Sequence, residues 1–492
     1  MMIQPVVHIE NLNLKYQHKL VLADLNWTIN RGENWLLSGK SGSGKTSLVK
    51  LIAGLISGSG DITIEFDSTH KLPAKALYVA SWYQFKDLEG ESNFYYQQRY
   101  NSQQAHRTHT VYAELLNYGK ENQLRFDELE NILSALGFSE LKDVQLIQLS
   151  SGEHKKLQLV KAVWLKPQLL ILDQPYTGLD VLSRKNLSAL LNEISAEGVQ
   201  LIMITDPSEL PTCINRFAEI KNGSLTISKS VESISVLPKK IVKTIPNFLS
   251  KAPISSTEIL ISMTDVNISY GEKKVLQHIN WEVKTGEKWL LQGHNGSGKS
   301  TLLSLVNGDH PQAYANNIHL FGNKRGSGES IWEIKAHIGL ISPELHWYFD
   351  ATATVFQSIA SGFFDSSGLF KTIGAEKQAQ VEELIDYFEL NEYKNELLKV
   401  LPLGKQRLVL LARTIIKNPE LLILDEPCQG LDQQQTEHFN HLIDELCTNG
   451  MTLIYVGHFE TQLPACLTHK LLLNNGEVIE NIKAYHTQKE LA

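Results

Sequence analysis

The chain has 492 residues, of which 42% are hydrophobic and 20% charged, the composition of an ordinary globular protein. A formal net charge of −8 argues against a dominant nucleic-acid role, which requires a basic field. No apolar run approaches the ~20 residues that span a bilayer, and the N-terminus MMIQPVVHIE lacks a charged start followed by an apolar core, so neither a membrane span nor a secretory leader is expected.

Length alone suggests about three domains at roughly 150 residues each, but a duplication overrides that count. LNLKYQHKLVLADLNWTINRGENWLLSGKSGSGKT at 12–46 repeats as VNISYGEKKVLQHINWEVKTGEKWLLQGHNGSGKS at 266–300. Tyr16 and Tyr270 are 254 residues apart, as are Lys45 and Lys299. Asp173 and Asp425, Gly178 and Gly430, and Asp206 and His458 are 252 apart. A nearly constant interval over most of each half marks two copies of one domain. The expected limits are 1–228 and 260–492, joined by a proline- and serine-bearing linker at 229–259.

Within the first copy the apolar strand WLLSG runs into GKSGSGKT and then a helix, TSLVKLIAG. EHKKLQLVKAVWL has helical spacing, and LLIL and LIMIT are short, continuously apolar runs that suit central parallel strands. The second copy repeats the order with WLLQG, GHNGSGKS, STLLSLVNG, LLIL and LIYVG. Each half therefore reads as α/β. Cys213, Cys428, Cys447 and Cys466 show no metal-ligand spacing and are read as buried thiols in a reducing cytoplasm.

Gly39, Lys40, Ser41, Gly42, Ser43, Gly44, Lys45 and Thr46 fit the phosphate-binding loop pattern, and so do Gly293, His294, Asn295, Gly296, Ser297, Gly298, Lys299 and Ser300, followed by Thr301. Glycines let backbone amides curl around phosphates, and the following helix N-terminus favours their negative charge. Lys45 and Lys299 reach the β and γ phosphates of ATP, while Thr46 and Ser300 ligate Mg²⁺. Asp173 and Asp425 each end an LLIL strand, where an acid holds the Mg²⁺ shell.

These elements resemble ATP-binding-cassette (ABC) proteins over essentially the whole chain. The resemblance implies two tandem P-loop NTPase domains, each with a mostly parallel core sheet, an antiparallel β subdomain and a helical subdomain. It implies that Tyr16 and Tyr270 stack on adenine and that Leu149–Glu153, with Ser150, Ser151 and Gly152, is the signature loop. It also implies head-to-tail pairing of the two domains, each ATP lying between one phosphate loop and the opposite signature. The tract NGDHPQAYANNIHLFGNKRGSGESIWEIKAHIG (Asn307–Gly339) resembles the second cassette of ModF-type molybdenum-transport ATP-binding proteins.

The two halves differ where the family pattern matters. Glu426 follows Asp425 and is positioned to polarise the attacking water, whereas the first half has Gln174, which cannot accept a proton. His458 occupies the γ-phosphate switch position and Asp206 its counterpart, an anion that would repel that phosphate. The second signature is LPLGK, where Pro402 removes both a hydroxyl and an amide donor. With head-to-tail pairing, Gln174, Asp206 and LPLGK fall in one composite site. Lys299, Ser300, Asp425, Glu426, His458 and LSSGE fall in the other. The family's glutamine loop has Gln84 as candidate in the first half, while Pro343 or Glu344 stands there in the second. The expected activity is ATP hydrolysis at one competent site, energising or regulating a membrane transporter from the cytoplasmic face, with molybdate implied by resemblance only. A soluble factor acting in translation or regulation, and a non-hydrolysing nucleotide scaffold, are the alternatives.

Overall fold

Alternating apolar residues open each half. Val7, Ile9, Leu12 and Leu14 are buried along the strand Pro5–Tyr16, and Leu22, Leu25, Trp27 and Ile29 along Lys19–Asn30. One face of each strand meets the core and the other meets water, as an antiparallel pair with a single covered face requires. The change from odd to even positions between Ile9 and Leu12 coincides with a register shift and with Asn11 in the left-handed region at φ 50°. A bulge there keeps Leu12 pointing inward. Ser59–Ile64 pairs with the other edge of Pro5–Tyr16 to complete a three-stranded sheet. In the second half Ile259–Tyr270, Lys273–Lys284 and Asn317–Leu320 form the same arrangement, extended by Asn323–Lys324.

The second sheet of each half is the one that carries the chemistry. Its order in the first half is Ala76–Val79, Leu169–Asp173, Gln200–Ile204, Trp35–Ser38, Arg216–Lys221 and Ser224–Ser228. All pairs are parallel except the last. Every residue of Leu169–Asp173 and Gln200–Ile204 is buried; Leu169, Ile171, Ile202 and Ile204 pack in one core with the antiparallel sheet and the helix Lys45–Ile52. The second half repeats the order with Ile338–Ile341, Leu421–Asp425, Thr452–Val456, Lys288–Gly293, His469–Asn474 and Glu477–Ile482. Parallel strands deliver their C-terminal ends, and the loops that follow, to one edge. Helices Val111–Glu121 and Leu129–Ala135 in the first half, and Val355–Ala360 and Ala375–Tyr387 in the second, form the helical regions.

This computed structural model describes residues 5–16, 19–68, 72–80, 108–149, 151–205, 207, 210–228, 244–249, 257–271, 273–343, 345, 349–350, 352–366, 368–457 and 462–485. They fall into two compact units, 5–228 and 244–485. The duplication persists in the packing: Trp27 and Trp35 meet edge to face at 5.2 Å, and Trp281 and Trp289 at 5.7 Å. Within the stretch read as linker, Asn247–Leu249 form a 3₁₀ turn, and Leu249 is buried in the second unit's core. The four cysteines are free thiols, but only Cys447 is buried. Cys213, Cys428 and Cys466 are half-exposed, which corrects the expectation of four buried thiols. Cys428 and Cys466 pack, partly buried, against the second unit's core. Among the described residues no helix is long and apolar enough to cross a membrane.

Candidate functional site

In both halves the phosphate loop joins a buried strand to a helix whose first residue is the motif lysine. The helices are Lys45–Ile52 and Lys299–Val306, capped by Gly44 at φ 103° and Gly298 at φ 101° with no side-chain hydrogen bond. Such an end leaves amide donors for an anion. Lys45 Nζ donates to the carbonyls of Gly39 at 2.6 Å and Lys40 at 2.9 Å. Lys299 Nζ does the same to Gly293 at 2.7 Å and His294 at 3.0 Å, so the two loops wrap identically. A Cβ on Gly293 would lie 2.5 Å from the Leu473 carbonyl oxygen and 2.4 Å from Ser297 Oγ, so only glycine fits that corner. Ser43 Oγ and Ser297 Oγ are buried without a hydrogen-bond partner among the described residues. A tight cradle with orphaned hydroxyls at a helix N-terminus fits a polyphosphate.

Asp173 is 3% exposed, and its Oδ2 accepts hydrogen bonds from Thr46 Oγ1 at 2.8 Å and Tyr78 Oη at 3.1 Å. The motif hydroxyl and the strand-end acid are thus brought together, as an Mg²⁺ site requires. Asp425 ends the matching strand, level with Val456 and, one strand further, Leu291, two residues before the loop begins. Sequence reasoning missed Tyr78. An aromatic residue in ALYV, where the second half has IGLI, is the signal that could have found it. Burial, then the charge of Asp173, pushes the Tyr78 hydroxyl far above its ordinary pKa.

Gln174 and Glu426 occupy the same turn. Both adopt left-handed backbone, φ 48° and φ 45°. Both donate their amide to the neighbouring strand, Gln174 to Ile204 at 2.8 Å and Glu426 to Val456 at 3.2 Å. Gln429 Nε2 donates to Glu426 Oε2 at 3.1 Å. Thr177 stands at the position of Gln429 in the first half.

A second unread feature is a buried cation in each half, Lys155 and Arg407, 252 residues apart and each 2% exposed. Lys155 Nζ donates to the Ala80 carbonyl at 2.5 Å, and burial lowers its pKa to about 7 against the pull of Asp173. Arg407 donates to the Gln429 carbonyl at 3.3 Å, and its Nε and Nη1 have no hydrogen-bond partner among the described residues. Burial lowers its pKa to about 10, opposed by Cys428 and Glu426.

The first signature opens the helix Ser151–Leu165, with Gly152 in its first turn. In the second, Pro402 caps the helix Leu403–Ile415 with no side-chain hydrogen bond. Tyr270 is 42% exposed, and its hydroxyl lies 2.7 Å from His310 Nε2. Pro343 is buried just beyond Ile338–Ile341. Ser150, Asp206, His458, Gln84 and Glu344 lie outside the described residues, as do the side chains of Tyr16 and Ser151.

Two phosphate loops in register, each beside a strand-end acid and followed by a signature helix, define a tandem P-loop ATPase of the cassette type. A family model described as ABC transporter matches residues 22–177 and 276–429, and the chain belongs to that family as a tandem ABC ATPase. It is 32% identical to the ABC transporter ATP-binding protein ModF of Escherichia coli, covering 90% of this chain and 92% of that protein. It is 31% identical to an uncharacterized ABC transporter ATP-binding protein of Schizosaccharomyces pombe, covering 93% and 95%. The fold is also that of the archaeal ribosome recycling factor aABCE1, solved in complex with the ribosomal stalk protein aP1. That likeness has a TM-score of 0.55 at 16% identity, over 98% of this chain and 92% of that one.

Proposed function

We propose that the chain hydrolyses ATP mainly at one composite site, built from the second phosphate loop and the first signature. The carrying observation is that Gln174 and Glu426 share one backbone conformation. The halves therefore differ there in chemistry rather than in geometry. Lys299 would hold the β and γ phosphates, and Ser300 and Asp425 the Mg²⁺. That ion neutralises charge on the transferred phosphoryl group when bound. Glu426 accepts the proton of the attacking water, held in place by Gln429, and His458 contacts the γ phosphate. Ser150, Ser151 and Gly152 complete the site from the other domain.

The first phosphate loop, with Thr46 and Asp173, binds ATP and Mg²⁺ but lacks a proton acceptor at Gln174. ATP held there stabilises the closed pair by mass action rather than by turnover. We propose the domain limits 1–228 and 260–492 and a peripheral position at the cytoplasmic face of a membrane permease. Molybdate as cargo rests on the subfamily resemblance alone.

Arginine at either signature tests the pairing. Ser150→Arg should reduce steady-state hydrolysis far more than Pro402→Arg, since the long cation fills the competent site in the first and the incompetent site in the second. Equal losses would end the proposal. Co-purification from detergent-extracted native membranes tests the permease, and a salt-sensitive association with ribosomes instead would favour the soluble-factor reading.

A further inference from the structure

The tract Asn307–Gly339 sets the second domain apart, and its first residues pack against the end of the strand that carries Tyr270. Along the strand Ile259–Tyr270, Asn317–Leu320 pairs with Ile261–Thr264. Beyond that register Lys273–Lys284 still pairs with one edge of 268–270, and side chains meet the backbone of Asn267 and Ser269. Asn316 Oδ1 accepts from the Asn267 amide at 2.8 Å. The Gln312 carboxamide brackets Ser269 from both sides, accepting from its amide at 3.3 Å and donating to its carbonyl at 2.8 Å. Asn316 Nδ2 in turn donates to the Gln312 carbonyl at 2.9 Å.

His310 completes the set. It is 1% exposed and lies at the head of the 3₁₀ turn Pro311–Ala315. Its Nδ1 accepts from the Gln312 amide at 3.2 Å, which places the ring proton on Nε2. Nε2–H therefore donates to Tyr270 Oη at 2.7 Å. Burial lowers the His310 pKa to about 4, so the ring stays neutral and the tautomer holds through the physiological range. The two rings stand 5.9 Å apart at 54°, and Tyr270 is 42% exposed beside His310. In the first domain LISGS follows Gly54, without histidine or glutamine, and Ser59 pairs with Asn13 beyond a register shift.

We propose that Asp309–Asn316 is a base-recognition clamp, in which His310 and Gln312 are positioning residues that fix the ring of Tyr270 for stacking on the purine of the nucleotide at the second phosphate loop. The proposal rests on the reading of Tyr270 as the base platform. A ring already held in place loses less freedom on stacking, an advantage of about 3–10-fold in affinity. It acts on the base, since the side chains of His310 and Gln312 bond to Tyr270 and Ser269 on the strand that carries the platform.

The test is steady-state hydrolysis by the full chain. His310→Phe and Gln312→Ala should each raise KM for ATP about 3–10-fold with kcat within about twofold. His310→Gln, which keeps an N–H donor, should recover most of the loss. Inhibition by magnesium tripolyphosphate, which has no base, should match the wild type in all three. An unchanged KM in both His310→Phe and Gln312→Ala overturns the clamp, and so does an equal loss of tripolyphosphate affinity. Tyr270→Ala separates the two levels. A wild-type KM in that variant refutes the platform itself, while a raised KM there with none in His310→Phe refutes only the clamp.

Discussion

Replacing Glu426 by glutamine puts the first half's residue at the corresponding place in the second half's turn. The substitution is nearly isosteric, and Gln174 shows that the left-handed turn at φ 48° accepts glutamine with its amide bond to the next strand intact at 2.8 Å. Folding and nucleotide binding should therefore survive, and the loss should be chemical. Removing a positioned proton acceptor costs about 10²–10⁴ in rate, or about 2.7–5.4 kcal/mol of barrier at 1.36 kcal/mol per decade. Phosphate release under saturating ATP and Mg²⁺ reads the rate, and equilibrium dialysis of the same preparation reads binding. Glu426→Gln should bind ATP like the wild type and turn over at or below one hundredth of its rate, while Gln174→Ala keeps most turnover. A Glu426→Gln protein that retains more than about a tenth of the rate would refute the reasoning. So would a Gln174→Ala protein that loses it, with the roles of the two sites then reversed.

Two further outcomes follow from packing and burial. Gly293→Ala places a Cβ 2.5 Å from the Leu473 carbonyl oxygen, an overpacking cost of about 1–3 kcal/mol that should appear as a lower Tm for the second domain and weakened ATP binding. Gly374→Ala, at φ −71°, meets nothing within 4 Å and should lower Tm less, so equal losses of Tm would argue against the steric account. Lys155 supplies a pH dependence: its pKa falls to about 7 in the folded protein, so between there and the ordinary lysine value near 10.4 the unfolded chain holds more protons. Raising pH through that window should stabilise the wild type relative to Lys155→Met, and parallel Tm profiles from pH 7 to pH 9 would refute the burial of that charge.

Legibility in the sequence followed chain locality. The phosphate loops, the strand-end acids Asp173 and Asp425 and the contrast of Gln174 with Glu426 are contiguous motifs, because a loop that curls around phosphate is built from neighbouring residues. The duplication and the α/β class follow from periodicity, which is local as well. Tyr78 against Asp173, Lys155 against the Ala80 carbonyl, Arg407 against the Gln429 carbonyl, and His310 beside Tyr270 were not legible. Each joins elements separated by tens of residues. A lysine in EHKKLQLV has the same appearance whether its side chain reaches water or the Ala80 carbonyl.

Chain order alone determined that two nucleotide-binding loops of one design exist and that a proton acceptor follows the strand-end acid in only one of them. Tertiary structure decided that Gln174 and Glu426 share a left-handed turn bonded to the neighbouring strand, and that Gln312 brackets the Ser269 backbone while His310 holds the hydroxyl of Tyr270. The reason is that a motif records which groups a site can offer. Burial and hydrogen-bond geometry, set by strands and helices distant in the chain, record where those groups point and what charge they carry.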